Sequence, residues 1–492
     1  MTDVSLSRRT WLGLAAVLAA TFMTQVDGFV VNVASPSIQR DLDAGFDQIQ
    51  FIGAAYVIAF GALLITGARL GDRAGHRAVF LWGVAGFTLT SLLCGLAPNA
   101  ELLIAARFLQ GATAAFMAPQ VLSIIRATVS DTEQRAKVIG VYGVVIGLGV
   151  ISGIAGGGIL VDLDIAGLGW RPVLLVNVPI GVAILVFGRL LPTSGAGTGQ
   201  RLDLVGAALT TIGLPALLVP LIFGPGGSSW LWLGLILAAV AFAVFAVQQR
   251  ALHQRGGDPL FPPRVVTARG MRLSLLTVMS LFATNSGLFL VFTYYLQTGL
   301  GLTPFVAGLM FVPLGVGFSL ASAANRWLTR RISAPIPVLG CATVAVVLLG
   351  GAVITQAPQD AQPVLLAVMI GVAGLGQGMV VAPLVAGILS RVRPDEAGAA
   401  SGMATTTTQL GLALGVAVAG AWYRTVLGAT PGDPGVPFDD HATAFAAAAV
   451  LLAVLATATS LLNARLHRIP PDPVDEPVEP AAPPTATTAR RS

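Results

Sequence analysis

Charge is scarce in this sequence. Of its 492 residues only 10% are Asp, Glu, Lys or Arg, 55% are hydrophobic, and the mean hydropathy is +0.82. A soluble domain carries about 25% charged residues, so a water-soluble globule is excluded. Cysteine is nearly absent. Cys94 and Cys341 both lie in apolar runs and read as small core residues, which excludes a disulfide framework or a cysteine metal cluster. Histidine is almost as rare: His76, His253, His441 and His467 are scattered, and no H-E-x-x-H stretch occurs. Lysine occurs once. Lys137 follows Ala136 rather than a glycine, so no phosphate loop exists to power an ATP-driven pump. No cofactor, no metal and no nucleic-acid partner are expected.

What the chain has instead is long apolar runs. A hydrocarbon core about 30 Å thick needs about 20 apolar residues of helix. That window selects 11–33, 50–70, 78–97, 102–127, 138–161, 172–191, 203–224, 229–248, 274–298, 304–326, 336–355, 362–390, 400–424 and 442–464, fourteen candidate spans in all. Arg8 and Arg9 precede the first run as in a signal peptide. The run is too long for one and lacks a small-residue cleavage site, so an uncleaved first helix is expected. Residues 465–492, rich in Pro, Ala, Thr and acids, are expected to form a disordered cytoplasmic tail.

The positive charges give an orientation. With the N-terminus cytoplasmic, Arg40, Arg171 and Arg424 alone face outward, and nearly all the rest of the 28 Lys and Arg face inward. A single helix missed or added would invert every later loop and destroy this asymmetry. Both termini are therefore expected in the cytoplasm.

Two charges fit neither side. Asp27 lies within the first span and Arg107 within the fourth. A charge at mid-bilayer costs several kcal/mol even by the lower estimates, and such residues face a cavity or find partners. One reading is a structural ion pair pinning span 1 to span 4. The other is a titratable site: burial favours the neutral acid, a neighbouring cation the charged one, and a carboxylate between them exchanges protons when its access changes. On span 4, Gln110 and Gly111 share the face of Arg107, with Ala114, Ala115 and Ala118 beyond them. On span 1, Met23 and Thr24 share the face of Asp27. Asn285, Phe289 and Phe292 on span 9, Gln377 on span 12, and Thr405, Thr408 and Gln409 on span 13 are candidates for lining a central cavity. Any one of them is as readily an interhelical hydrogen bond; their convergence from both halves is what points to a cavity.

The loop between spans 2 and 3 reads GARLGDRAGHRAVF, residues 67–80. Asp72 is expected where the next helix begins, accepting from its free N–H groups. The pattern resembles the signature loop of the major facilitator superfamily, of the type G-x-L-a-D-R-x-G-R-K. Asp72, Arg73, Gly75 and Arg77 match, with Arg69 adding charge; Ala68 replaces the first glycine and His76 an arginine, so His76 reads as a loop substituent. RFLQGATAAFMAP, residues 107–119, resembles the family's span-4 motif. VDGFVVNVASP, residues 26–36, resembles the span-1 motif of the fourteen-helix drug/proton antiporter branch, and GWRPVLLVNVPIG, residues 169–181, matches that branch at Trp170, Arg171, Asn177, Pro179 and Gly181. In span 5, GLGVISGIAGGG keeps Gly149, Gly153, Gly157 and Gly158 of the antiporter motif, while Ile154 stands where that motif has proline.

The resemblance covers residues 11–464 and implies an all-α integral membrane protein of the major facilitator fold. After a cytoplasmic N-terminus at 1–10, a six-helix bundle is expected at 11–191 and a second at 274–464; two extra helices lie in the linker 192–273, before the tail at 465–492. The implied function is secondary export of small amphipathic molecules, as in drug or antibiotic efflux, driven by protons through Asp27 and Arg107, with the loop and span-5 glycines serving the conformational change. Protons, cargo and membrane lipids are the expected partners, a monomer the expected state, and a bacterial inner membrane the expected location. The alternatives are a lipid or metabolite transporter, possibly importing, and a non-transporting receptor or scaffold.

Overall fold

The computed structural model describes residues 7–129, 131–192, 203–223, 229–257, 259–261, 263–332, 334–392, 397–433 and 435–469. The expected tail from 470 onward and part of the linker, 193–202, lie outside the described residues. Every described element is helical, as apolar backbone in lipid requires, because a helix pairs its own N–H and C=O groups.

The first half comprises α1 (Arg8–Asp41), α2 (Phe46–Ala74), α3 (His76–Gly95), α4 (Ala100–Thr128), α5 (Thr132–Ile151), α6 (Gly157–Asp162), α7 (Pro172–Leu175) and α8 (Asn177–Gly188). A π turn, Ser152–Gly156, joins α5 to α6. Two helices follow, α9 (Leu204–Phe223) and α10 (Leu233–Gln254), and then a short α11 (Pro263–Thr267). The second half comprises α12 (Met271–Tyr294), α13 (Pro304–Leu309), α14 (Val312–Arg331), α15 (Ile336–Ile354), α16 (Gln362–Gly378), α17 (Val381–Leu389), α18 (Ala397–Leu427) and α19 (Phe438–His467). A second π turn, Tyr295–Gly299, ends α12.

Helices occupy all fourteen expected span positions. Among the described residues twelve are long and apolar enough to cross a membrane, and Pro172–Gly188 is a shorter apolar stretch. Polar caps set several starts: Asn99 accepts from Leu102 N at 2.9 Å before α4, and Asp131 from Gln134 N at 2.8 Å before α5. At the α2–α3 corner Gly75 takes φ 91°, a backbone conformation that a side chain would strain.

The two halves repeat one packing plan. In the first, α2 packs on α4, α3 on α4, α1 on α5, α1 on α8 and α3 on α8; in the second, α14 packs on α16, α15 on α16, α12 on α18, α12 on α19 and α15 on α19. Glycine makes the tightest crossings possible. A Cβ on Gly111 of α4 would strike the Tyr56 carbonyl of α2, and one on Gly374 of α16 would strike the Leu314 carbonyl of α14. The inserted pair packs on itself and, through α9, on α2 and α18. The outer helix α10 is the least buried of the twelve candidate spans, at 17%.

The halves are joined at the arginine-poor end of the bundle. Gln39 donates to the Pro431 carbonyl at 2.7 Å and accepts from the Tyr294 hydroxyl at 2.7 Å. Gln297 donates to the Val33 carbonyl at 2.9 Å, and Arg424 faces Asp47 at 3.9 Å. Gly158 lies under the Pro304 carbonyl, where no side chain would fit. Further along the seam Thr406 donates to the Gly61 carbonyl at 3.2 Å.

Candidate functional site

Asp27 lies in the interior of α1, where the helix has no use for a charge. Arg107 and Gln110 stand three residues apart on one face of α4. Asn177 opens α8, just after the break at Val176, and Ser91 projects from α3. Packing α1, α3, α4 and α8 together brings these side chains to one point. Asp27, Gln110, Ser91 and Asn177 are 0% exposed and Arg107 1%.

The carboxylate is held from three sides. Arg107 Nη1 donates to Asp27 Oδ2 at 2.6 Å. Gln110 Nε2 and Asn177 Nδ2 both donate to Asp27 Oδ1 at 2.9 Å. Gln110 also orders the cation, since its Oε1 accepts from the same Arg107 Nη1 at 2.7 Å while its Nε2 reaches Ser91 Oγ at 2.7 Å. The guanidinium carbon of Arg107 sits 4.5 Å from the centroid of the Tyr56 ring. Two polar atoms here, Arg107 Nε and Asn177 Oδ1, are buried without a hydrogen-bond partner. Such a pair is stable only while both charges and their hydrogen bonds persist: losing one partner of a buried pair costs about 3–5 kcal/mol.

The remaining candidates fall into separate places. Thr405 and Thr408 line a cavity of about 100 Å³ between α12, α17 and α18, with Phe282, Leu384 and Ser401 among the other walls. Met23 is buried in the core of the first half, and Thr24 bonds to the Ala20 and Thr21 carbonyls of its own helix. Phe289 and Phe292 belong to a buried aromatic stack: both pack edge-on against Phe311, Phe289 also meets Phe29 across the seam, and Phe292 meets Phe445. Asn285 is half-buried with Oδ1 unpartnered, and Gln377 is buried in α16. The Cβ of Gln409 fills the space left by Gly61.

The signature loop differs from its sequence reading in two residues. Asp72 does not cap the following helix. It lies in the last turn of α2, and Gly75 occupies the cap position without a side-chain bond. Nor is His76 a loop substituent. It is the first residue of α3, with Nε2 3.6 Å from Asp72 and Nδ1 2.9 Å from Gln120 Oε1; Gln120 in turn donates to the Gly67 carbonyl at 2.8 Å. The reason is that α2 runs past Asp72 and turns only at Gly75. Arg77 donates to the Arg189 carbonyl at 2.6 Å and Arg69 to the Pro259 carbonyl at 2.6 Å, while Arg73 is exposed. In span 5, Gly149, Gly153 and Gly157 face α1 at Gln25, Val26 and Val30. The irregularity that the motif assigns to proline is a π turn here, running through Ile154.

Among the residues around Asp27, Asn177 was visible only as a match to a motif. Ser91 and Tyr56 carry no sequence signal, because single Ser and Tyr residues in apolar helices are ordinary. Cys94, a small core residue by its context, lies 3.5 Å from Gln110 Oε1.

The fold and this buried centre can be set beside known proteins. A family model described as Major Facilitator Superfamily matches residues 17–416 and 273–489. A probable actinorhodin transporter of Streptomyces coelicolor is 36% identical over 430 residues, covering 85% of this chain and 73% of its own. A puromycin resistance protein of Streptomyces alboniger is 38% identical over 420 residues (83% and 81%), and a cephamycin export protein of Amycolatopsis lactamdurans 35% identical over 478 (93% and 94%). Among solved structures, a bacterial homologue of the human lysosomal transporter Spinster, in an inward-facing conformation, superposes with a TM-score of 0.68 at 15% identity, over 94% of this chain and 98% of that one. With the family model matched over most of its length and relatives above 30% identity along more than four-fifths of it, the chain belongs to the major facilitator superfamily.

Proposed function

We propose that this chain exports a small amphipathic, antibiotic-like molecule in exchange for protons, by alternating access between its two halves. The observation that carries the reading is the fully buried Asp27, held by Arg107, Gln110 and Asn177 inside the first half. A carboxylate sealed from water and matched to a single cation is suited to taking up a proton in one conformation and losing it in the other. The names of its relatives support export of antibiotics, and their diversity supports a cavity selecting by size and polarity rather than by one scaffold. The charge asymmetry supports fourteen spans in a bacterial inner membrane with both termini cytoplasmic. The arginine-poor end is then the outer end, and the conformation described has its outer ends joined. The Thr405–Thr408 cavity lies toward the inner end; it is smaller than the about 300–1,000 Å³ of a drug-sized site, so cargo binding requires it to widen. The carrier is read as a monomer.

The energy is adequate. A proton moving inward releases about 2.3 kcal/mol per 100 mV and about 1.4 kcal/mol per pH unit. The test is efflux of a loaded antibiotic from proteoliposomes under an imposed proton gradient. Wild type is expected to respond to the gradient and Asp27→Asn to lose that response. Gradient-driven efflux undiminished in Asp27→Asn removes the proton site, and wild-type efflux indifferent to collapse of the gradient removes antiport. Uptake in place of efflux makes the carrier an importer.

A further inference from the structure

The second half contains a buried titratable side chain that the Asp27 mechanism does not use. His441 lies in the first turn of α19 and is 1% exposed. Its Nδ1 is 3.0 Å from the hydroxyl of Tyr423 on α18, itself 0% exposed. The π turn at the end of α12 closes the third side: a Cβ on Gly299 would come within 3.1 Å of the His441 Cβ. In the same turn Tyr295 stacks on Phe445 and donates its hydroxyl to Gln362.

The groups around this imidazole can be named element by element. Its own helix supplies Asp439 and Asp440, both exposed. From α18 come Tyr423 and Arg424, and from α12 and its π turn Tyr294 and Tyr295. The loop before α16 carries the exposed Asp360. The titratable side chain of α15 is Cys341, at the other end beside Asn463. No acid touches His441 among the described residues, and the neighbouring exposed Asp440 offsets only part of the cost of burying an imidazolium here.

The same short stretch holds the halves together. Arg424, next to Tyr423, faces Asp47 of α2, and the α18–α19 loop supplies the Pro431 carbonyl that Gln39 grips. Tyr294 completes that clasp from α12. We propose that His441, with Tyr423, is a second proton-binding site of the carrier, and that loading it favours parting of the outer ends. In the neutral state with the proton on Nε2, Nδ1 accepts from the Tyr423 hydroxyl. On protonation by external water Nδ1–H donates instead, and the hydroxyl proton must find another acceptor. The new cation also needs water, which enters only as the ends separate. External acid thereby favours the conformation that discharges cargo. That this end faces outward rests on the orientation proposed above; the coupling of His441 to opening does not.

The test is a distance measurement rather than a flux, so it stands apart from the antiport reading. Spin labels at Pro98→Cys and Asp433→Cys, on exposed outer loops of the two halves, are followed by pulsed electron resonance in the full chain in nanodiscs from pH 8 to pH 5, with Cys94 and Cys341 replaced by alanine. Asp27→Asn is included to silence the first site. Acid is expected to move the population to longer distances in this background, and His441→Gln to abolish that movement. Tyr423→Phe is expected to keep the movement but shift its midpoint. No movement in the Asp27→Asn chain, or movement that survives His441→Gln, overturns the proposal. Should His441→Gln fail to fold, an unchanged midpoint in Tyr423→Phe overturns it.

Discussion

The two halves share one helix plan and fill its centre with opposite chemistry. At the α2–α4 crossing Gly111 lies under the Tyr56 carbonyl, and at the α14–α16 crossing Gly374 lies under the Leu314 carbonyl. Counting back from those glycines, Arg107 corresponds to Ile370 and Gln110 to Ala373. All four are buried, yet one set builds an ion pair and the other a plain apolar core. The helix plan can therefore pack without charges at these positions, which supports the proposal made above for the charges of the first half. This is the physical case for reading Asp27 and Arg107 as a coupling site.

The largest effect should come from crossing the two chemistries. Ile370→Arg places an unpaired charge at a 0% exposed position. By the cost of an uncompensated buried charge, about 3–5 kcal/mol, it should abolish a monodisperse folded peak in detergent. Asp27→Leu strands Arg107 and should do comparable damage. Combining Asp27→Leu with Arg107→Leu makes the first half resemble the second. That double variant should recover thermal stability while its efflux ignores the proton gradient, and a double variant that remained coupled would break the comparison.

Next come the glycines, where the halves should behave alike. Gly111→Leu and Gly374→Leu each push a side chain into the backbone of the facing helix. Overpacking of about 1–3 kcal/mol or more is expected in both, read as a lower unfolding temperature; a tolerant half would show that its crossing is less constrained than its geometry.

Asn177→Ala should act in the charged half alone. It removes one of the two donors to Asp27 Oδ1 and leaves Gln110 on that oxygen, an effect of about 1.5–3 kcal/mol for a hydrogen bond to a charged group. Since about 1.4 kcal/mol is a factor of ten, gradient-driven efflux should fall about tenfold, with uncoupled drug binding retained. The smallest change should follow Arg424→Gln on the seam. Its partner Asp47 is 3.9 Å away and both side chains are partly exposed, so a loss of at most about 1 kcal/mol is expected in thermal unfolding.

The legibility of the site followed from rarity. Asp27 and Arg107 stand out because nothing else charged is embedded in the spans, and Gln110 because it repeats on the face of Arg107. Asn177 surfaced only as a match to a motif, since one amide in an apolar helix has many uses. Ser91 and Tyr56 gave no signal, and His441 looked like one of four scattered histidines. Asp72 was misplaced by a few residues because a charged loop and a charged last helical turn read alike until the positive φ of Gly75 shows where the chain turns.

By itself the sequence determined the class of molecule, where its long apolar helices fall and the asymmetry of charge between their ends. Those follow from hydropathy and charge, summed over twenty residues at a time. Tertiary structure decided which buried polar atoms meet: Asn177 with Asp27, Tyr423 with His441, Gln39 with both Tyr294 and Pro431. It also decided which candidates sink into an aromatic core and which line a cavity. A hydrogen bond is settled within a few tenths of an ångström, and the rotation and crossing of each helix that set such distances come from packing against its neighbours.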